Sequence, residues 1–137
     1  FVDHATGEAF AVGHVAIDGT AGDDSLIGSA SNEILTGREG ADFLWGNGGS
    51  DILDGGAGDD FHRGSAGQDT FVFRLGDGDD VIELFDVATD RIDLQGMEED
   101  DLAFWEDDGG TLISAPDGTS LWMIGVTGVT PDQYAFV

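Results

Sequence analysis

Between residues 19 and 72 the apolar positions keep one spacing. Leu26, Leu35, Leu44, Leu53, His62 and Phe71 stand nine residues apart, and five of the six are apolar. An amphipathic helix would show a period near 3.6 and a long strand a period of two. A period of nine fits a repeating unit of one turn and one very short strand, whose middle residue faces inward and whose two neighbours face outward. Two nine-residue units make one coil of a right-handed spiral, and successive coils stack at about 4.8 Å. Leu26, Leu44 and His62 then line one interior wall, and Leu35, Leu53 and Phe71 the other. The expected fold is all-β: a right-handed parallel β-roll, a form of β-solenoid.

Two further positions obey the same period. Glycine opens each unit at Gly19, Gly28, Gly37, Gly46, Gly55 and Gly64, and the fourth position holds Gly22, Ser31, Gly40, Gly49, Gly58 and Gly67. Such glycines mark turns whose backbone takes positive φ or approaches another group closely. The sixth position is always acidic: Asp24, Glu33, Asp42, Asp51, Asp60 and Asp69. In the spiral, Asp24, Asp42 and Asp60 fall along one edge and Glu33, Asp51 and Asp69 along the other. Carboxylates stacked at a strand spacing repel one another, and a hard cation with oxygen ligands relieves that repulsion. Carboxylates plus turn carbonyls suit Ca²⁺ better than the strictly octahedral Mg²⁺. Solvated acidic loops are the rival reading, but they have no reason to keep a period of nine.

The units resemble the repeat-in-toxin (RTX) nonapeptide G-G-x-G-x-D-x-U-x, and Gly55-Gly56-Ala57-Gly58-Asp59-Asp60 matches its turn in full. The resemblance implies Ca²⁺ held between turns two units apart, by the sixth-position carboxylates and the glycine carbonyls. The implied pairs are 19–24 with 37–42, 28–33 with 46–51, 37–42 with 55–60, and 46–51 with 64–69. A fifth joins 55–60 to the turn near Asp80, giving about four or five ions. The implied metal ligands are Asp24, Asp42, Asp51, Asp60, Asp69, Asp80 and Asp90, with Gly19, Gly22, Gly37, Gly40, Gly46, Gly49, Gly55, Gly58, Gly64 and Gly67. Asp77 and Asp79 are further candidates. Ser31 and Glu33 depart from the pattern, so that unit's site is expected to be weak or missing. His62 also departs, and is read as a packed, hydrogen-bonded histidine at the end of the roll rather than a metal ligand.

Charge strengthens this picture. The formal net charge is −25, with four arginines, no lysine and no cysteine. Self-repulsion of that size opposes a compact state unless counter-ions bind, so the ion-free chain is expected to be expanded and Ca²⁺ to carry folding free energy. The sign of the charge excludes nucleic-acid binding through a basic patch. Without disulfides, calcium would be the staple of a secreted, extracellular protein that stays unfolded inside the cell. No apolar run reaches the ~20 residues of a membrane span, and no signal-peptide pattern is visible. A chain opening at Phe1 rather than Met is expected to be part of something longer.

Outside the repeats, residues 1–18 read as one or two opening strands, a candidate hairpin closing the first coil, with His4 and His14 at the surface. Residues 19–96 form the roll. Its later coils, through Phe71-Val72-Phe73, Asp80 and Asp90, have a looser period because loops are inserted. Residues 97–137 read as an antiparallel β cap over the open end, with strands at Leu102–Trp105, Thr111–Ala115 and Ser120–Ile124 joined by Gly- and Asp-rich turns. The tail from Val129 to Val137, an acid followed by apolar residues, is similar to the signal read by type I secretion machinery; it also suits a last strand. On one sheet Phe43, Trp45, Phe61 and Arg63 face outward, a candidate partner-binding stripe unless a terminal segment covers it.

Lysine-dependent phosphate loops, H-E-x-x-H and G-x-S-x-G are all absent. Paired carboxylates abound, but the periodic ones are better explained by ions than by glycoside hydrolysis. The chain is therefore read as non-enzymatic, with any enzyme in an attached N-terminal passenger domain. The expected function is Ca²⁺-triggered folding after type I secretion, which stabilises that passenger. The alternative is a polysaccharide- or cell-surface-binding module of a secreted enzyme or adhesin.

Overall fold

The computed structural model describes residues 14–86, 88–95, 102–127 and 134–136. Those residues form strands and turns. The strands are β1 (His14–Asp18), β2 (Ser25–Ile27), β3 (Asn32–Thr36), β4 (Phe43–Trp45), β5 (Ile52–Asp54), β6 (Phe61–Arg63), β7 (Thr70–Arg74), β8 (Asp79–Glu83) and β9 (Arg91–Gln95), then β10 (Ala103–Asp107), β11 (Gly110–Ser114), β12 (Ser120–Ile124) and β13 (Tyr134–Phe136). From β1 to β9 consecutive strands alternate between two sheets, and β10, β11 and β12 all join the second. One has the order β1-β3-β5-β7-β9-β13, and the other β10-β11-β12-β8-β6-β4-β2. This is the parallel β-roll expected from the period of nine.

Register follows from the inward residue of each strand. Leu26 pairs with Leu44, Leu44 with His62 and His62 with Ile82. In the facing sheet, Leu35 pairs with Leu53, Leu53 with Phe71 and Phe71 with Ile92. A slip of one residue would turn every one of these side chains to solvent. The two ladders form a thin core in which all but Leu26 are essentially inaccessible.

Both ends of the roll refine the expectation. β1 is a parallel strand of the first sheet, paired with β3; residues 1–13, the rest of the expected opening segment, lie outside the described residues. At the other end the expected meander is present, β10 and β11 antiparallel and β11 and β12 antiparallel. It joins the roll through a parallel pair, β12 with β8, which places Met123 beside Ile82 and continues the inner ladder. β13 likewise adds in parallel to β9. The last coil thus passes its open edge to added strands. The acidic connection and most of the expected tail signal fall outside the described residues.

Candidate metal centre in the stacked turns

Each sixth-position acid follows a turn and precedes a strand, so its carboxylate lands at the seam between turn and core. Backbone hydrogen bonds fix it there. The N–H of Asp24 donates to Asp42 Oδ1 at 2.8 Å, that of Asp42 to Asp60 Oδ1 at 2.8 Å, and that of Asp60 to Asp80 Oδ1 at 2.9 Å. On the other edge Glu33 donates to Asp51 Oδ1 at 2.8 Å, Asp51 to Asp69 Oδ1 at 3.0 Å, and Asp69 to Asp90 Oδ1 at 2.9 Å. Two columns of four carboxylates result. Asp80 and Asp90 join them despite the broken period. Two extra residues lengthen β7, which keeps the alternation of faces. One extra residue after β8, Leu84, is taken up at φ +62°.

The second carboxylate oxygen divides the turns into two kinds. In the closed kind, the second residue of the turn fills it. Thr20 donates its N–H to Asp24 Oδ2 at 2.6 Å, Ser29 its N–H to Glu33 Oε1 at 3.0 Å and its hydroxyl to Oε2 at 2.6 Å, and Asp86 its N–H to Asp90 Oδ2 at 2.8 Å. In the open kind, the Oδ2 atoms of Asp42, Asp51, Asp60, Asp69 and Asp80 are buried with no hydrogen-bond partner. The backbone explains the split. The second residues of these turns, Arg38, Asn47, Gly56, Ser65 and Gly76, all have φ between +67° and +86°, a left-handed conformation in which the N–H does not reach the carboxylate.

The glycines make room for this geometry. A Cβ on Gly46, Gly55 or Gly64 would land on Oδ2 of Asp51, Asp60 or Asp69, and one on Gly19 or Gly37 would meet both its own turn's acid and the carbonyl of the next coil. At Gly40, Gly49, Gly58 and Gly67 a Cβ would strike the carbonyl of the turn two units before, at Gly22, Ser31, Gly40 and Gly49 respectively. Carbonyl oxygens and orphaned carboxylate oxygens therefore lie in neighbouring stacked turns.

Such an arrangement is electrostatically unfavourable without a cation. Burial is the main cause that pushes Asp51, Asp60 and Asp69 up to about 7 and Asp80 up to about 8; the backbone N–H bond opposes it and neighbouring acids add to it. Burial raises Asp42 and Asp90 as well. The nearby arginines go elsewhere. Arg38 sits in a turn but reaches out to Asp18 at 3.8 Å, and Arg74 binds Asp54 at 2.6 Å. An all-oxygen set of buried, partnerless carboxylates and close carbonyls fits Ca²⁺. Asp77 and Asp79 stand off the columns: Asp77 accepts the Arg74 N–H at 3.0 Å, and Asp79 accepts the Ser120 hydroxyl at 2.8 Å.

His62 differs from its expected role. It lies in the interior between the Leu44 and Ile82 levels, not at the end of the roll, and neither ring nitrogen has a hydrogen-bond partner. Burial pushes its imidazole down to about 4 against a smaller opposing pull from Asp54, so the ring is neutral at pH 7. A buried polar group without a partner costs about 1–3 kcal/mol.

The outward stripe is ordered. The Phe43 and Phe61 rings stack with centroids 5.4 Å apart, and the Arg63 guanidinium lies 5.9 Å from the Phe43 ring and 5.2 Å from that of Trp45. The register extends the row through Val81 to Trp122, Leu112 and Trp105. These last residues belong to the added strands, so no period in the sequence connected them to the stripe.

The model of the RTX calcium-binding nonapeptide repeat, four copies, matches residues 16–44, 27–62 and 36–71. No curated protein matches the chain by sequence. Among solved structures, the AlgE6R2 subunit of the mannuronan C5-epimerase of Azotobacter vinelandii is 31% identical with a TM-score of 0.71, over 89% of this chain and 92% of that one. The AlgE6R3 subunit of the same enzyme is 30% identical with a TM-score of 0.69, over 85% of this chain and 80% of that one. The extracellular lipase LipA of Serratia marcescens is 26% identical with a TM-score of 0.74, over 89% of this chain but only 21% of the lipase. Repeat, parallel roll and stacked acidic turns agree with these likenesses, and the chain belongs to the family of RTX calcium-binding nonapeptide-repeat domains.

Proposed function

We propose that the chain is a calcium-folded module of a secreted protein, disordered without the ion and assembled outside the cell after type I secretion, where it stabilises an attached passenger domain. The observation that carries this reading is the set of five buried, partnerless carboxylate oxygens on Asp42, Asp51, Asp60, Asp69 and Asp80. Those residues and the adjoining turn carbonyls would hold Ca²⁺, which supplies the positive charge that the columns lack. Five such ions would offset about ten of the 25 net negative charges. Catalysis is assigned to the passenger rather than to this module. The test is a calcium titration of the chain, followed by far-UV circular dichroism and hydrodynamic radius, with magnesium as the control. A cooperative gain of β signal and compaction with calcium alone is expected; identical spectra and radii in chelator and in calcium would refute the reading.

The aromatic row supports a second, compatible reading as a binding module for an extracellular glycan or cell surface. The partly exposed rings of Phe43, Trp45 and Phe61, held in place by their mutual stacking, by Arg63 and by the Trp45 bond to Ser65 Oγ, form an ordered aromatic surface of the kind on which sugar rings pack. Replacing Trp45 and Phe61 by alanine should remove glycan retention and leave calcium affinity unchanged; a glycan array without hits would end this reading.

A further inference from the structure

The outward row of the second sheet runs well past the repeats. Phe43, Phe61, Val81, Trp122, Leu112 and Trp105 stand in register across the neighbouring strands β4, β6, β8, β12, β11 and β10. At about 4.8 Å per strand the row is roughly 24 Å long. Its aromatic members are evenly placed. Trp122 lies two strands beyond Phe61, and Trp105 two strands beyond Trp122. Successive aromatic platforms therefore stand roughly 10 Å apart. Phe61 is stacked on Phe43, and the β10–β11 turn seats the Trp122 ring, whose Cζ2 lies 3.5 Å from the place of a Cβ on Gly109. Trp105 is 68% exposed. A continuous apolar row at the surface of so acidic a chain marks an interaction face.

We propose that this row docks an uncharged β-1,4-linked polysaccharide lying across the strands, an assignment that rests on the glycan-binding reading above and narrows it. In an extended β-1,4-linked chain every second sugar presents the same face, and one disaccharide is as long as two strand spacings. Phe61, Trp122 and Trp105 then each meet the same face of alternate sugars. Polar groups flank the row where the sugar hydroxyls fall. Asp79 accepts the Ser120 hydroxyl at 2.8 Å on one side of Val81, and Glu83 accepts Arg63 Nη2 at 3.0 Å on the other. Charge sets the class of glycan. The carboxylates of Asp79, Glu83 and Asp107 share the face with the row. They repel a polyuronate or a sulfated chain and accept hydrogen bonds from neutral hydroxyls. An α-1,4-linked chain coils, so its rings do not stay on one line and cannot reach all of the platforms.

The test uses the full chain in saturating calcium. Tryptophan fluorescence is titrated with cello- and chito-oligosaccharides, and retention is measured on microcrystalline cellulose and chitin. Maltopentaose and an alginate oligomer are the controls. Affinity should climb from the disaccharide to the pentasaccharide, the shortest chain that reaches from Phe61 to Trp105, and level off beyond it. Trp105→Ala should bind the pentasaccharide about tenfold more weakly, through loss of one ring contact, with its dichroism spectrum and calcium affinity unchanged. No binding to either β-1,4-linked series, equal affinity for disaccharide and pentasaccharide, equal binding by Trp105→Ala, or stronger binding of either control would overturn the proposal. Should Trp105→Ala not fold, the length dependence in the wild type decides. The broader glycan-binding reading fails separately. It falls if no glycan binds at all, and it survives this proposal if Trp45 and Phe61 retain a glycan whose binding ignores Trp105.

Discussion

Replacing Asp51 and Asp69 together by asparagine isolates the charge of one carboxylate column. Asparagine keeps the Oδ1 acceptor that receives the backbone N–H from the coil before, and puts a neutral group where the partnerless oxygen sits. Burial raises both carboxyls from 3.8 to about 7. At about 1.4 kcal/mol per pH unit, keeping each one charged in the ion-free fold at pH 8 costs of the order of 4 kcal/mol. Relieving two therefore approaches the whole stability of a small domain, about 5–15 kcal/mol. In chelator at pH 8, the double variant should be more compact by size-exclusion and richer in β signal than the wild type. In calcium the order should reverse, with calorimetry losing the ion held between turns 46–51 and 64–69. If both proteins are equally expanded in chelator and bind equal amounts of calcium, the carboxylate columns are not what couples the ion to folding.

Acidification offers the same test without mutation. Because the folded values of Asp51, Asp60, Asp69 and Asp80 lie above the unfolded 3.8, their contribution in the ion-free state is present below about pH 4 and lost as pH rises through about 7–8; dichroism in chelator should gain β signal between pH 8 and pH 4, while calcium affinity falls as protons compete for the same oxygens. Gly58→Ala should destabilise the calcium-loaded fold in urea melts, by about 1–3 kcal/mol from backbone strain at φ +124° and further from collision with the Gly40 carbonyl; Gly118→Ala, at φ +94° with open space around it, bears only the strain. Thr20→Gly should convert the closed first turn to the open kind and add one calcium ion by calorimetry, because Thr20 alone supplies the bonds that fill the outer oxygen of Asp24; an unchanged stoichiometry would mean that the second turn residue does not control access.

The period of nine made the roll legible because each repeat places the same four demands on its residues. The first glycine must clear a carboxylate and the fourth-position glycine a carbonyl, the acid must take the backbone N–H of the coil before, and the eighth residue must fill a core one side chain thick. Each demand is local to the unit, so each leaves a mark at fixed spacing. The columns could even be extended to Asp80 and Asp90, because the turn chemistry survives where the spacing does not. What stayed hidden depends on conformations that several residue types can adopt. The second turn position holds Thr, Ser, Arg, Asn, Gly and Ser in the six repeat units, with no periodic signal. Yet its φ decides whether the acid is answered within its own turn or left open. Asn47 hints at the open kind, since asparagine tolerates the left-handed region; Arg38 and Ser65 do not.

Long-range placement hid the rest. The row from Phe43 to Trp105 crosses from the roll into the added strands, and only the parallel pairing of β12 with β8 joins its two parts. His62 was legible as an exception to the apolar pattern but not as a neighbour of Asp80, which stands eighteen residues further on beyond the lengthened β7. A histidine in an apolar column is usually explained by a hydrogen bond that the sequence does not reveal. Here neither ring nitrogen has a hydrogen-bond partner among the described residues, and the nearest charged group is the Asp80 carboxylate, 4.0 Å from Nε2.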